Sequence, residues 1–379
     1  MKKIRICFFG TYDGTYTSNK MILKGFEENN IDVTEVNAFI KVTKLTTTQE
    51  MSSLQIIKRV LKKYRIVTEI IKNFKAFSKT DVIYVGYPGH VDVFFAYPIA
   101  KLFGKKLVFN PLLIVYNGFA DEQGILKKKS VLGRAIKTVE SICYKLCDMV
   151  FADTPFQYEH LKNDFNIPES KLRVLPIGAD DTGYKYTLYK NTKGKKVHVV
   201  YYGLYSPIHG VEHIIEAANI LRNDKDVHFS FVGQGNTYEQ NFKRANELKL
   251  SNVTFYHDIP ESEHLPIMQS ADIFLGFLQK HPTVDRVIPN KVYQGLALGR
   301  VVLTADSSVT RSVFTNKKDA YLCESSNPKA LVSAIIELKD NPRLRTSIAA
   351  AGYKLYKNHF TPKAVGKQLI DYIAEIVNN

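Results

Sequence analysis

The chain has 379 residues, 45% of them hydrophobic and 23% charged, and a formal net charge of +15. That length exceeds one ordinary core, so two domains are expected, and the apolar content excludes a disordered chain. The positive balance suits an anionic partner (nucleic acid, anionic lipid or anionic substrate), and no run of 18 apolar residues offers a membrane span.

Residues 4–9 read as a first strand, because the apolar run is too short for a signal peptide and Gly10 opens a turn after it. A helical pattern with Met21, Ile22, Leu23 and Phe26 follows, then a second strand at 31–36. Strand, glycine turn and helix open a doubly wound α/β domain, although Gly10 and Gly14 lack dinucleotide spacing. A long helical pattern over 54–77 carries Ile56, Ile57, Val60, Ile66, Val67, Ile70, Ile71 and Phe74. Residues 58–79 hold eight basic side chains against one acid, so this amphipathic helix can lie on an anionic membrane. Strands are expected at 81–86, 107–109 and 149–154, with Asp153 or Thr154 placed to cap the next helix. His90 follows the strand at 81–86 where open α/β sheets bind ligands, which makes it a site candidate. The four cysteines show no metal spacing, and Cys143 and Cys147, four apart on a helical pattern, read as small buried hydrophobes. Nothing demands an oxidising compartment, so a cytoplasmic location is expected.

Residues 181–196 are polar and lysine-rich and read as a linker. Domain bounds of 1–180 and 197–360 follow, with a C-terminal helix over 361–379 that can cross back to the first domain. In the second half, strands are expected at 197–202, 227–232, 253–256, 272–276 and 301–304. Two turns in it favour anions: Gly203 to Gly210, ahead of a helix at 211–221, and Gly233-Gln234-Gly235. The stretch Asp285 to Arg300 is the centre of the chain. Pro289 stands where a first helical turn tolerates it, and Val292, Leu296 and Leu298 recur near helical spacing. A helix starting near Asn290 aims its free N–H groups and positive dipole end outward, beside Arg286 and Lys291. A phosphate-bearing ligand is the expected guest.

These segments, in this order, resemble the family 4 glycosyltransferases of the GT-B fold. Leu175 to Asp180 is similar to the family's V-I-P-N-G-V-D junction, and Gly203 to Ala218 to its G-R-L-x-x-x-K-G-V-x-x-L-L-x-A segment. Phe231 to Gly235, Ala271 to Leu275 and residues 285–306 complete the series. Leu204 stands where the family has Arg, His209 where it has Lys, Arg286 at the first Glu of E-x7-E and Gln294 at the second. The chain is similar to a subgroup with a Pro-Asn-Lys segment and a His-Gly turn. The resemblance implies two doubly wound Rossmann-like domains facing across a cleft, an N-terminal acceptor side and a C-terminal nucleotide-sugar side. It implies a retaining, metal-independent, hexosyltransferase-like enzyme of polysaccharide or glycolipid biosynthesis, moving a sugar from a nucleotide-diphosphate donor to a glycan or lipid-linked acceptor.

On that reading the candidate catalytic residues are His90, Arg286 and Lys291. Gly10, Gly203, His209, Gly210, Gly233, Gly235, Asn290 and Gln294 bind the donor, with Arg286, Lys291 and the Asn290 helix start taking the diphosphate. His209 adds a neutral or cationic donor, and Gln294 bonds ribose hydroxyls. No metal, cofactor or nucleic-acid partner is expected, and the protein is placed in the cytoplasm, peripheral at the inner face of the membrane. Two other readings are weighed: a nucleotide-sugar epimerase, which wants a carboxylate pair that is not apparent, and a basic nucleic-acid-binding protein, which wants interleaved aromatic residues.

Overall fold

The computed structural model describes residues 4–39, 64–118, 130–187 and 196–378. They form two compact units, one running up to Ile177 and resuming at Pro362, the other spanning Gly178–Thr361. Each is built on a wholly parallel six-stranded sheet with helices between the strands. The inner strands of such sheets are covered on both faces, which is why their sequences are mostly continuous apolar runs, whereas the edge strand Asp32–Asn37 is polar and largely exposed.

In the first unit the strands are β1 Arg5–Gly10, β2 Asp32–Asn37, β3 Val82–Val85, β4 Lys106–Phe109, β5 Met149–Ala152 and β6 Leu172–Val174. Their order is β2-β1-β3-β4-β5-β6, so the winding reverses between β1 and β3. The helices are α1 Thr17–Glu28, α2 Tyr64–Lys72, α3 Phe74–Lys79, α4 Asp92–Phe103, α5 Val131–Leu146 and α6 Pro155–Phe165. Thr154 caps α6 by accepting from Gln157 N, and Pro155 fills the first position, where no N–H is needed. Cys7, Cys143 and Cys147 are buried thiols in the core, as is Cys323 of the second unit.

The helix expected over 54–77 differs in its described part. Residues 54–63 lie outside the described residues, and the remainder is two helices broken at Asn73, whose amide donates to Glu69 O at 2.9 Å. A side chain that bonds the preceding turn competes with helix continuation. The break turns Ile66 and Phe77 into the core while Val67, Ile71 and Phe74 stay exposed.

The second unit carries β7 Val197–Tyr202, β8 Val227–Val232, β9 Val253–Tyr256, β10 Ile273–Leu275, β11 Val301–Ala305 and β12 Tyr321–Cys323. Their order, β12-β11-β10-β7-β8-β9, reverses between β7 and β10. Its helices are α7 Val211–Ile220, α8 Tyr238–Glu247, α9 Glu261–Gln269, α10 Asn290–Ala297, α11 Ser308–Val313, α12 Pro328–Asp340 and α13 Pro342–His359. Strand β12 escapes a sequence reading because it is three residues long, too short for any period to register.

Residues 181–187, expected to be linker, pack on the second unit. Tyr186 stacks on Tyr353 with centroids 4.1 Å apart, and Tyr184 accepts from Gln294 Nε2 at 2.9 Å. Tyrosines in a polar, lysine-rich stretch supply the buried area that holds it down. The last helix, α14 Pro362–Val377, belongs to the first unit and packs on α1. Gly25 and Gly366 meet there so closely that a Cβ on Gly366 would lie 2.4 Å from Gly25 O.

Candidate functional site

In open parallel sheets ligands bind outside the carboxyl ends of the strands, where the winding reverses. In the second unit that point lies past Tyr202 and Leu275, and the sequence candidates gather there. Helix α10 begins behind Pro289, and no side chain caps its first turn. Its leading N–H groups and positive dipole end are therefore available to an anion.

Lys291 sits in that turn, 5% exposed. Its ammonium is 4.1 Å from the Tyr201 ring centroid, 5.7 Å from that of Phe277 and 3.3 Å from His209 Nδ1. Among the described residues no carboxylate pairs with it. Burial holds its pKa well below the usual lysine range. The aromatic faces attract the charge, but they return only part of what desolvation removes. The site is thus a buried amine lacking an anion.

His209 is 9% exposed and faces the same group. Burial first, and then the Lys291 charge, hold its pKa well below the histidine range, so the imidazole is neutral at pH 7. The Tyr201 hydroxyl donates to Leu204 O at 2.6 Å and so accepts the Nδ1–H, 2.8 Å away, which leaves the neutral imidazole no N–H for a ligand. Gln294, 4% exposed, gives its Nε2–H to Tyr184, and its Oε1 has no hydrogen-bond partner. It therefore stands as a buried acceptor without a donor. Arg286 is partly buried on the loop leading into α10.

The glycine turns close the wall. Gly203, Gly210, Gly233 and Gly235 all have positive φ. The demand is clearest at Gly233, where φ is +126° and a Cβ would lie 2.1 Å from Gly203 O. Two backbone turns touch there, and the gap admits no side chain. Gly203 in turn leaves the Lys291 ammonium 3.1 Å from its own Cβ position.

Gly10 and His90 are on the first unit. Gly10 ends β1 beside the buried Asp92 carboxylate, which accepts from Thr11 N at 2.8 Å. His90 follows β3, with Nε2 3.2 Å from Glu140 Oε1. Both lie at the β1–β3 reversal, the ligand edge of the first sheet. Sequence reasoning missed Tyr201, Phe277 and Glu140. The two aromatics are indistinguishable from core residues in an apolar run, and Glu140 from a solvated helix position.

Residues 189–355 match the family described as glycosyl transferases, group 1. Over 149 residues, 39% of this chain and 30% of the relative, the chain is 34% identical to WcaI of Escherichia coli K12, named as a colanic acid biosynthesis glycosyl transferase. It is 23% identical over 157 residues, 41% of this chain and 44% of the relative, to the lipopolysaccharide core biosynthesis glycosyltransferase LpsD of Rhizobium meliloti 1021. The aligned parts thus span less than half of either curated relative. In fold, Anabaena Alr3699/HepE, solved with UDP-glucose, superimposes with a TM-score of 0.67 at 13% identity, covering 98% of this chain and 100% of that one. Each unit is thus a Rossmann-like domain with a parallel six-stranded sheet, as in the GT-B fold, and residues 189–355, in the second, match the glycosyl transferases group 1 family.

Proposed function

We propose that the chain is a glycosyltransferase that moves a sugar from a nucleotide-diphosphate donor to an acceptor hydroxyl. The observation that carries this reading is the buried Lys291 amine at the start of α10, with no carboxylate among the described residues beside it. A departing diphosphate supplies the missing charge. A fixed cation and helix N–H groups there stabilise it without reorganising, an effect on the order of several kcal/mol. Gln294 Oε1 accepts from a ribose hydroxyl. Protein cations do the neutralising, so the reaction needs no metal. Family 4 membership, a retaining, hexosyltransferase-like course and a glycan or lipid-linked acceptor held by the first unit belong to the same proposal. UDP-glucose, held by the Anabaena relative, is the first donor to try.

A thermal-shift panel of nucleotide sugars tests it. The cognate donor at ~100 times its Kd stabilises by about 2.7 kcal/mol, in EDTA as in buffer, whereas RNA does not. Stabilisation that needs Mg²⁺ or Mn²⁺ refutes the metal-free part. A shift with RNA and none with nucleotide sugars refutes the whole.

The exposed face of α2, α3 and α4 favours an acceptor at an anionic membrane. Ile71 and Leu102 are 69% and 68% exposed, and Phe74 packs on Phe103 with centroids 4.9 Å apart. Arg65, Lys72, Lys75, Lys79 and Lys101 are exposed on the same helices. Among the described residues no helix is long and apolar enough to cross a membrane; peripheral association at the cytoplasmic face belongs to the same proposal. Each near-surface cation contributes about 1 kcal/mol. Sedimentation with anionic vesicles is expected to fall with salt and to weaken about tenfold or more when Arg65, Lys75, Lys79 and Lys101 become Gln. Equal partition onto neutral and anionic vesicles refutes it.

A further inference from the structure

His90 is held more firmly than a surface histidine needs. Helix α5 presents Glu140, Cys143 and Tyr144 on one face, at i, i+3 and i+4, and all three bond it. The Glu140 carboxylate lies 3.2 Å and the Tyr144 hydroxyl 3.3 Å from Nε2, while the Cys143 thiol donates to the His90 carbonyl at 3.3 Å. The Phe109 ring meets the imidazole edge-on at 5.1 Å.

Glu140 is 4% exposed. It accepts from Val115 N at 2.7 Å, Tyr116 N at 2.9 Å and the Tyr144 hydroxyl at 2.6 Å. An ionised carboxylate only accepts, so the hydrogen of a neutral His90 sits on Nε2, and Nδ1 keeps its lone pair.

We propose that Glu140 is a positioning residue: it fixes His90 as the Nε2–H tautomer, so that Nδ1 at the ligand edge of the first sheet accepts a hydrogen bond from a hydroxyl of the sugar acceptor. The role of Nδ1 rests on the glycosyltransferase reading; the tautomer does not. The same carboxylate ties the loops after β3 and β4 to α5, so its two jobs must be separated by experiment.

The full chain, labelled with ¹⁵N-histidine, reports the tautomer directly, His90→Gln identifying the signals. Wild type is expected to show a protonated Nε2 and an unprotonated Nδ1, and Glu140→Gln a mixture of tautomers. With the donor found in the thermal-shift panel, Glu140→Gln is expected to lower kcat about 10–100-fold with donor KM unchanged. In a His90→Gln background it is expected to cost nothing more, because it acts only through that ring. If Glu140→Gln does not fold, Tyr144→Phe, which leaves the carboxylate and its backbone bonds in place, is expected to show a smaller kcat loss that also vanishes in the His90→Gln background. A wild-type ring protonated on Nδ1, or losses that add to that of His90→Gln, overturns the proposal. A wild type that transfers from no nucleotide sugar refutes the functional reading instead, while the nitrogen signals still decide the tautomer.

Discussion

Lys291→Ala is expected to lower kcat/KM for the nucleotide sugar by about 10²–10³-fold while leaving the melting temperature unchanged or raised. A buried ammonium without a counter-ion is a cost to the folded chain before ligand arrives. Its removal therefore relieves the free protein and injures only the bound state. The pH dependence follows with a definite sign. The folded pKa of Lys291 lies below its unfolded value, so between the two the unfolded chain binds the extra proton. Stability of the free protein accordingly rises with pH through that window, and Lys291→Ala removes the slope. A diphosphate beside the amine reverses the shift, so binding takes up a proton and weakens as pH rises. Calorimetry of UDP binding in buffers of different ionisation enthalpy measures the uptake, expected in wild type and absent in Lys291→Ala. Near-wild-type turnover in both Lys291→Ala and Arg286→Ala, or identical proton uptake with and without Lys291, removes the diphosphate from this site.

Gly233→Ala is expected to destabilise the second unit by about 3 kcal/mol or more, close to the upper end of single-site effects. The new methyl would lie 2.1 Å from Gly203 O at a backbone φ of +126°. Neither turn can step aside, because Gly203 N is bonded to Val232 O at 3.0 Å and Gly233 N to Tyr256 O at 3.2 Å. Gly104→Ala is the control: its φ is +60°, with nothing within 4 Å of the added Cβ. Only backbone strain remains there, about 1 kcal/mol. Urea midpoints of the two variants make the comparison, and equal losses would show that the contact between turns is not what requires glycine.

Much of the second unit was legible because its signals are local. The strands at 197–202, 227–232 and 253–256 coincide with the expected bounds, since a run covered on both faces and stopped by polar or glycine residues has few other ways to fold. The helix start at Asn290 was equally plain, because Pro289 cannot continue a helix backwards. The pattern over 54–77 misled in its described part: apolar spacing tolerated one helix, and a single Asn73 amide bonding back to Glu69 ended it.

By itself the sequence determined two α/β windings, glycine turns ahead of helices, and a lysine at a helix start, all set by residues within one turn of each other. What that lysine faces was decided by tertiary structure alone. Tyr201 and His209 reach it from 90 and 82 positions away along the chain, and only the pairing of β7 beside β10 brings them together. The Glu140–His90 pair is likewise made by α5 packing behind the β3 turn. Side chains so far apart carry no joint signal in one sequence, because their spacing reflects the length of the elements between them and not the chemistry they share.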